Sequence, residues 1–168
     1  GRGSHCYRTS TPDCAEDGEG AGVLAIRIEI PGGNAQVRAG GAIRKLVREV
    51  MPDVIVNPAA YTAVDKAESE PDLAFAINMT APGILGEEAA QLGALVVHYS
   101  TDYVFDGTKA GFYLESDTPN PQNVYGASKL AGERALQHSS ARHLIFRTSW
   151  VVGAHGNNFA KTMLRLAA

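Results

Sequence analysis

The chain has 168 residues, of which 45% are hydrophobic and 20% are charged, and its formal net charge is −3. These values are typical of one globular domain, and no basic run indicates a nucleic acid or an anionic membrane as a partner. No apolar stretch approaches the ~20 residues of a membrane span, and the N-terminus lacks the layout of a signal peptide. We therefore expect a cytoplasmic protein with no membrane contact.

The first 41 residues differ in texture from the rest of the chain. They hold half of its 18 glycines and one short strand-like run, "GVLAIRIEI", and the remainder is typical of loop or disorder. The spacing of Cys6 and Cys14 fits neither a disulfide framework nor a zinc site. His5, His138 and His155 have no carboxylate or cysteine partner at ligand spacing, so no metal is expected. We divide the chain into an anomalous segment, residues 1–41, and an α/β core, residues 42–168.

Helical and strand patterns alternate through this core. An amphipathic helix with Ile43, Leu46 and Val47 on one face leads into the buried strand run "VIVN". Residues 70–93 predict a helix that is interrupted near Pro82. The pattern continues with a strand at 94–105, a helix at 124–139, a strand at 143–151 and a helix at 157–168. This alternation predicts a parallel sheet whose ligands lie at the carboxyl ends of the strands.

Tyr125 and Lys129 are four residues apart, so they share one face of the predicted helix. A nearby ammonium is expected to lower the phenol pKa from its usual ~10 and to favour proton donation to a reduced carbonyl. A tyrosine and a lysine four residues apart occur by chance in many helices, so this pair alone is weak evidence. The hydroxyl of Thr101 at the preceding strand end, which could hold the carbonyl, makes the combination more specific, although Ser100 and Thr101 also suit ordinary strand-end capping.

The motifs "TAVDKAE", "STDYVF", "VYGASKLAGE" and "RTSW" followed by "GNNF" carry a family resemblance. From Ile43 to Ala168 the chain resembles the dTDP-4-dehydrorhamnose reductases, which are extended short-chain dehydrogenases. The resemblance implies a Rossmann-like doubly wound parallel sheet in which NADPH or NADH reduces the C4 ketone of dTDP-4-dehydro-L-rhamnose to dTDP-L-rhamnose. Related dehydratases carry a glutamate where Tyr103 follows Asp102, so its absence favours reduction over elimination of water.

The same resemblance assigns the site residues. It implies that Tyr125 is the acid, that Lys129 tunes it and holds the nicotinamide ribose, and that Thr101 positions the ketone. The cofactor pocket is expected to contain Ala59, Ala60, Thr62, Ser100, Tyr125 and Lys129. The dTDP-sugar is expected near Val64, Asp65, Lys66, Tyr103 and Trp150. From the residues alone, the alanines also suit a packed turn, Asp65 and Lys66 a solvated loop, and Trp150 and His98 structural packing.

The chain departs from the family at both ends. Residues 1–41 do not reproduce the Gly-rich turn that packs a pyrophosphate against a helix, and one hypothesis for this segment is a shifted reading frame. No C-terminal substrate domain follows, so we expect an incomplete fold, a fragment with impaired activity and, as a further option, a homodimer. The alternative is a non-catalytic, partner-binding protein similar to the regulatory subunit of methionine adenosyltransferase, against which the intact Thr101, Tyr125 and Lys129 argue.

Overall fold

The fold was obtained as a computed structural model that describes residues 23–25, 35–149 and 159–166. Helices and strands alternate along these residues, as the sequence predicts. The strands are β1 (Val23–Ala25), β2 (Val54–Asn57), β3 (Leu95–Thr101) and β4 (Arg142–Thr148). The helices are α1 (Ala35–Val50), α2 (Val64–Ala67), α3 (Pro71–Phe75), α4 (Ala81–Leu92), α5 (Val124–His138) and α6 (Phe159–Leu166), with a π-helical turn at Ala76–Thr80 and a 3₁₀ turn at Asp102–Val104.

The four strands form one parallel sheet in the order β1-β2-β3-β4. Because crossovers between parallel strands are right-handed, strands added always in the same direction place their connecting helices on one face of the sheet. The burial pattern agrees, since Ile55 and Val96 on that face are buried whereas Tyr99, Leu144 and Phe146 on the other face are exposed. The predicted α/β parallel-sheet fold is confirmed, and α1, α4 and α5 all cover the same face.

Helix α4 packs between α1 and α5 over an apolar core. The buried core side chains come from the sheet and from all three helices: Leu24, Ile43, Val47, Ile55, Ile84, Leu85, Val96 and Leu136. A buried carboxylate, Glu88, joins α4 to α1 by accepting hydrogen bonds from Arg44 at 2.8 Å and from Arg48 at 2.6 Å. The two guanidinium groups offset the cost of removing this charge from water.

Two element boundaries differ from the prediction. Helix α1 begins at Ala35 and runs across the expected boundary near Ala42. The pattern was hidden by Gly40 and Gly41, which disfavour a helix, but a Cβ at Gly40 would lie 3.0 Å from Ile84, so the glycine lets α1 approach α4. The other difference is the helix predicted for residues 70–93, whose irregular turn, Ala76–Thr80, lies one turn before Pro82 because the proline ring excludes the regular hydrogen bond there.

Within the described residues, no helix is long and apolar enough to cross a bilayer. No group of three or more His, Cys, Asp or Glu side chains in that part of the chain is arranged to hold a metal ion.

Candidate active-site cleft

A cleft of about 450 Å³ opens at the carboxyl ends of β2, β3 and β4. Parallel sheets place ligand sites at this edge, and the volume lies in the range of small-molecule pockets. Its walls combine small side chains after β2 with hydroxyl groups after β3 and on α5. The lining residues are Pro58, Ala60, Thr62, Val64, Tyr99, Ser100, Thr101, Asp102, Tyr103, Tyr125, Lys129, Thr148 and Ser149.

The start of α5 is fixed by two side chains that cap its free backbone N–H groups. The Asn123 side chain accepts from Gly126 N at 2.7 Å, and the side chain of Glu68, at the end of α2, accepts from Val124 N at 2.8 Å. The cap sets where the helix begins and therefore which residues share a face. Tyr125 and Lys129 both point into the cleft as a result.

Tyr125 and Thr101 both line the cleft, and the Thr101 hydroxyl lies near enough to the Tyr125 phenol to influence its pKa. The Tyr125 ring also packs edge-on against Tyr103, with 5.5 Å between the ring centroids. Burial is the main cause that raises the pKa of Tyr125, and Asp102 and Tyr103 raise it further, while the Thr101 hydroxyl opposes them. The phenol is thus protonated at neutral pH and can donate a proton. The expected lowering of the Tyr125 pKa by Lys129 is wrong in direction.

The reason is the orientation of Lys129, whose side chain is almost completely buried. Its Nζ donates to the Tyr99 carbonyl at 2.6 Å and lies 3.5 Å from Nε2 of His98. Burial lowers the pKa of Lys129 to about 8, against the opposing charge of Glu133. Lys129 therefore lines the cleft as an amine that loses its proton more readily than an ordinary lysine.

His98 is buried beneath this amine and bridges it to β2. Nδ1 of His98 lies 3.1 Å from the side-chain amide nitrogen of Asn57. Burial first, and the charge of Lys129 second, lower the pKa of His98 to about 3, so its imidazole is neutral near pH 7. Sequence reasoning interpreted His98 as a satisfied structural residue, and its contacts place it directly behind the cleft.

The buried carboxylate of Glu133, which the sequence analysis did not single out, supports Ser100. The Ser100 hydroxyl donates to this carboxylate, which also accepts from Arg147 Nη2 at 2.6 Å. Arg147 in turn lies 5.0 Å from the centroid of the Phe105 ring. The signal was present, because Glu133 follows Lys129 by four residues on α5 and so falls on the same helix face.

Some predicted site residues lie away from the cleft lining. Ala59 directs its backbone N–H to Asn57 Oδ1 at 3.3 Å. Asp65 and Lys66 are exposed on α2, and Lys66 pairs with Glu70 at 2.9 Å. Trp150 lies outside the described residues. The cleft lining contains the other predicted residues: Ala60, Thr62, Val64, Ser100, Thr101, Tyr103, Tyr125 and Lys129.

A parallel sheet with helical crossovers and a hydroxyl-rich cleft at its strand ends defines a Rossmann-like α/β protein. A family model described as the RmlD substrate binding domain matches residues 15–168. The chain belongs to this family, and the resemblance to the dTDP-4-dehydrorhamnose reductases is confirmed.

Individual relatives agree with this assignment. Over 125 residues the chain is 59% identical to the dTDP-4-dehydrorhamnose reductase of Escherichia coli (strain K12), covering 74% of this chain and 42% of that relative. It is 44% identical over 153 residues to the enzyme of Streptomyces griseus, covering 90% and 49%. A crystal structure of the Bacillus anthracis dTDP-4-dehydrorhamnose reductase in complex with NADP has a TM-score of 0.72 at 44% identity, covering 76% and 45%. The chain thus spans less than half the length of these relatives.

Proposed function

We propose that this chain is the catalytic segment of an NADPH-dependent dTDP-4-dehydrorhamnose reductase. The observation that carries the proposal is the pair of Tyr125 and Thr101 hydroxyl groups at the surface of the cleft, with Lys129 directly behind them. Its substrate would be dTDP-4-dehydro-L-rhamnose and its product dTDP-L-rhamnose. The relatives described above bear the name of this reductase, and the Bacillus anthracis structure is a complex with NADP. We also propose a cytoplasmic location and leave open a homodimer.

The proposed step is a two-electron reduction of the C4 ketone. NADPH, when bound, supplies the hydride that forms the new C–H bond. Tyr125 supplies the proton that forms the new O–H bond, because its raised pKa keeps the phenol protonated until the carbonyl oxygen gains negative charge. Thr101 holds that oxygen beside the phenol. The resulting tyrosinate regains its proton from solvent, and the ketone leaves as an alcohol.

The cleft suits the reactive end of a dinucleotide on chemical grounds. Ala60 and Thr62 form a wall of small side chains after β2, which allows close approach of a flat ring. The Lys129 amine at the cleft floor can donate to ribose hydroxyl groups. Ser100 donates to Glu133, so we assign it to shaping the floor under the cofactor.

The sugar nucleotide would enter beside the loop that follows β2. Val64 and Tyr103 line the cleft at this point, and Asp65 and Lys66 lie on the exposed face of the adjoining α2. These exposed charges would contact the nucleotide portion, outside the cleft. Trp150 remains a prediction for the same ligand.

The test is NADPH oxidation in the presence of dTDP-4-dehydro-L-rhamnose, together with NADPH binding followed by fluorescence. Tyr125→Phe is expected to lower the rate by about 10²-fold or more and to preserve NADPH binding, since a general acid contributes on the order of 10²–10⁴-fold. Tyr113→Phe removes a phenol whose hydroxyl donates to Asp106 and should leave turnover unchanged. A folded chain that binds NADPH but never oxidises it would contradict the proposal and favour the non-catalytic, partner-binding alternative.

A further inference from the structure

A chain of hydrogen bonds connects the end of β2 to the amine of Lys129. It runs from the backbone N–H of Ala59 to Asn57 Oδ1, from the Asn57 amide nitrogen to His98 Nδ1, and from His98 Nε2 to Lys129 Nζ. Asn57, His98 and Lys129 are each about 99% or more buried. Water therefore competes little with the contacts of Asn57 and His98, and the polar atoms of these two side chains depend on their protein neighbours.

The direction of this chain follows from its first member. A backbone N–H can only donate, so the Asn57 atom that faces Ala59 has to be the amide oxygen. The amide nitrogen then faces His98 and donates to Nδ1 at 3.1 Å. A neutral imidazole that accepts at Nδ1 carries its proton on Nε2, which is the nitrogen that faces Lys129.

The amine of Lys129 has two neighbours on β3. Nζ lies 2.6 Å from the Tyr99 carbonyl, which is an acceptor and takes one N–H, and 3.5 Å from His98 Nε2. The ring nitrogen that carries the proton is therefore the one nearest to the amine.

We propose that Asn57 and His98 are positioning residues for Lys129. Asn57 orients the imidazole so that its Nε2–H faces Lys129 Nζ. This arrangement disfavours the ammonium form of Lys129 and directs an N–H of the amine to the Tyr99 carbonyl. The inference deepens the proposed function, because it names what sets the state of the amine in the proposed reductase site. The titratable groups that face Lys129 are His98 from β3, and Tyr125 and Glu133 from α5. Of these, the Glu133 carboxylate favours the ammonium and is itself neutralised by Arg147.

The decisive measurement is the tautomer of His98 in the full chain, by long-range ¹H–¹⁵N NMR of the ring from pH 6 to 9. The expected result is a proton on Nε2 throughout. A proton on Nδ1 would overturn the proposal. The ring would then donate toward β2, where the Asn57 backbone lies near the imidazole, and it would offer a lone pair at Nε2 to Lys129.

A matched pair of variants tests the control by Asn57. Asn57→Asp replaces the amide donor with a carboxylate acceptor, which should move the ring proton to Nδ1 and raise the pKa of Lys129 by about one unit or more. Asn57→Ala removes the donor without adding a charge and should leave both tautomers populated. If the folded Asn57→Asp variant keeps its proton on Nε2, Asn57 does not set the tautomer and the proposal fails.

These readouts need no turnover, so they separate this inference from the proposed function. An Nε2-protonated ring in a chain that never oxidises NADPH would preserve the hydrogen-bond chain and overturn the reductase. Turnover with an Nδ1-protonated ring would support the reductase and overturn the proposed hydrogen-bond chain.

Discussion

Gly132 of α5 lies directly against the backbone of Asn78, so closely that a Cβ on the glycine would be 2.0 Å from the Asn78 carbonyl oxygen. The contact joins α5 to the π-helical turn Ala76–Thr80. The Asn78 side chain uses this closeness to bind α5 again, through a 3.0 Å hydrogen bond to Ser128. The glycine therefore sets the distance of the helix that carries Tyr125 and Lys129 from the rest of the fold.

We expect Gly132→Ala to destabilise the protein by about 1–3 kcal/mol or more, since the new methyl group meets rigid backbone. Chemical denaturation measures the free energy of unfolding. Gly41→Ala is the matched control, because Gly41 is also inside a helix but no atom lies within 4 Å of its Cβ position. That variant should be more stable by up to about 1 kcal/mol. Equal effects of the two substitutions would contradict the close-approach explanation.

The sequence predicted the features that depend on local pattern, such as the strands at β2 and β3 and the shared helix face of Tyr125 and Lys129. It failed where contacts between distant residues decide the outcome. The Tyr125 pKa is one case. The Lys129 amine donates to the Tyr99 carbonyl, 30 residues away along the chain, and not to the Tyr125 phenol as the helix spacing predicted. The start of α1 is another, since Gly40 lies against Ile84 of α4, a contact between distant residues that the local pattern around two glycines does not reveal.

Thr101 is expected to contribute through its hydroxyl group. Its side chain accepts from Tyr103 N at 3.2 Å and donates to Asp102 at 3.1 Å, and it lines the cleft together with Tyr125. Thr101→Val keeps the shape but removes the hydroxyl and should lower the rate of ketone reduction by about 10²-fold, within the range for a lost transition-state donor. Thr101→Ser keeps the hydroxyl and should retain most of the rate. Comparable losses in both variants would indicate a packing role.

Burial of the Lys129 charge is expected to lower the free energy of unfolding, although the proposed site needs this residue. Its folded pKa, about 8, is lower than the ordinary value of 10.5, so stability that is present above pH 10.5 is lost as the pH falls to 8 and stays lost below it. We expect Lys129→Met to abolish reduction but to raise the free energy of unfolding at pH 7, by up to roughly 3 kcal/mol.

Urea denaturation at pH 7 and pH 10 checks this expectation. The advantage of Lys129→Met should shrink at the higher pH, where the amine of the parent protein is neutral in the folded state. An advantage that is independent of pH would mean that the gain arises from packing and not from the buried charge.

His98 should make the fold sensitive to mild acid. Because its folded pKa is about 3 and its ordinary value is 6.5, the stability it contributes is complete above pH 6.5 and is lost as the pH falls towards 3. Between pH 6.5 and 5, where carboxylates stay ionised, the free energy of unfolding should fall by roughly 2 kcal/mol. His98→Gln should remove this slope, whereas His138→Gln, at an exposed histidine on α5, should preserve it. An unchanged slope in His98→Gln would show that the neutral imidazole behind Lys129 is not what acid disrupts.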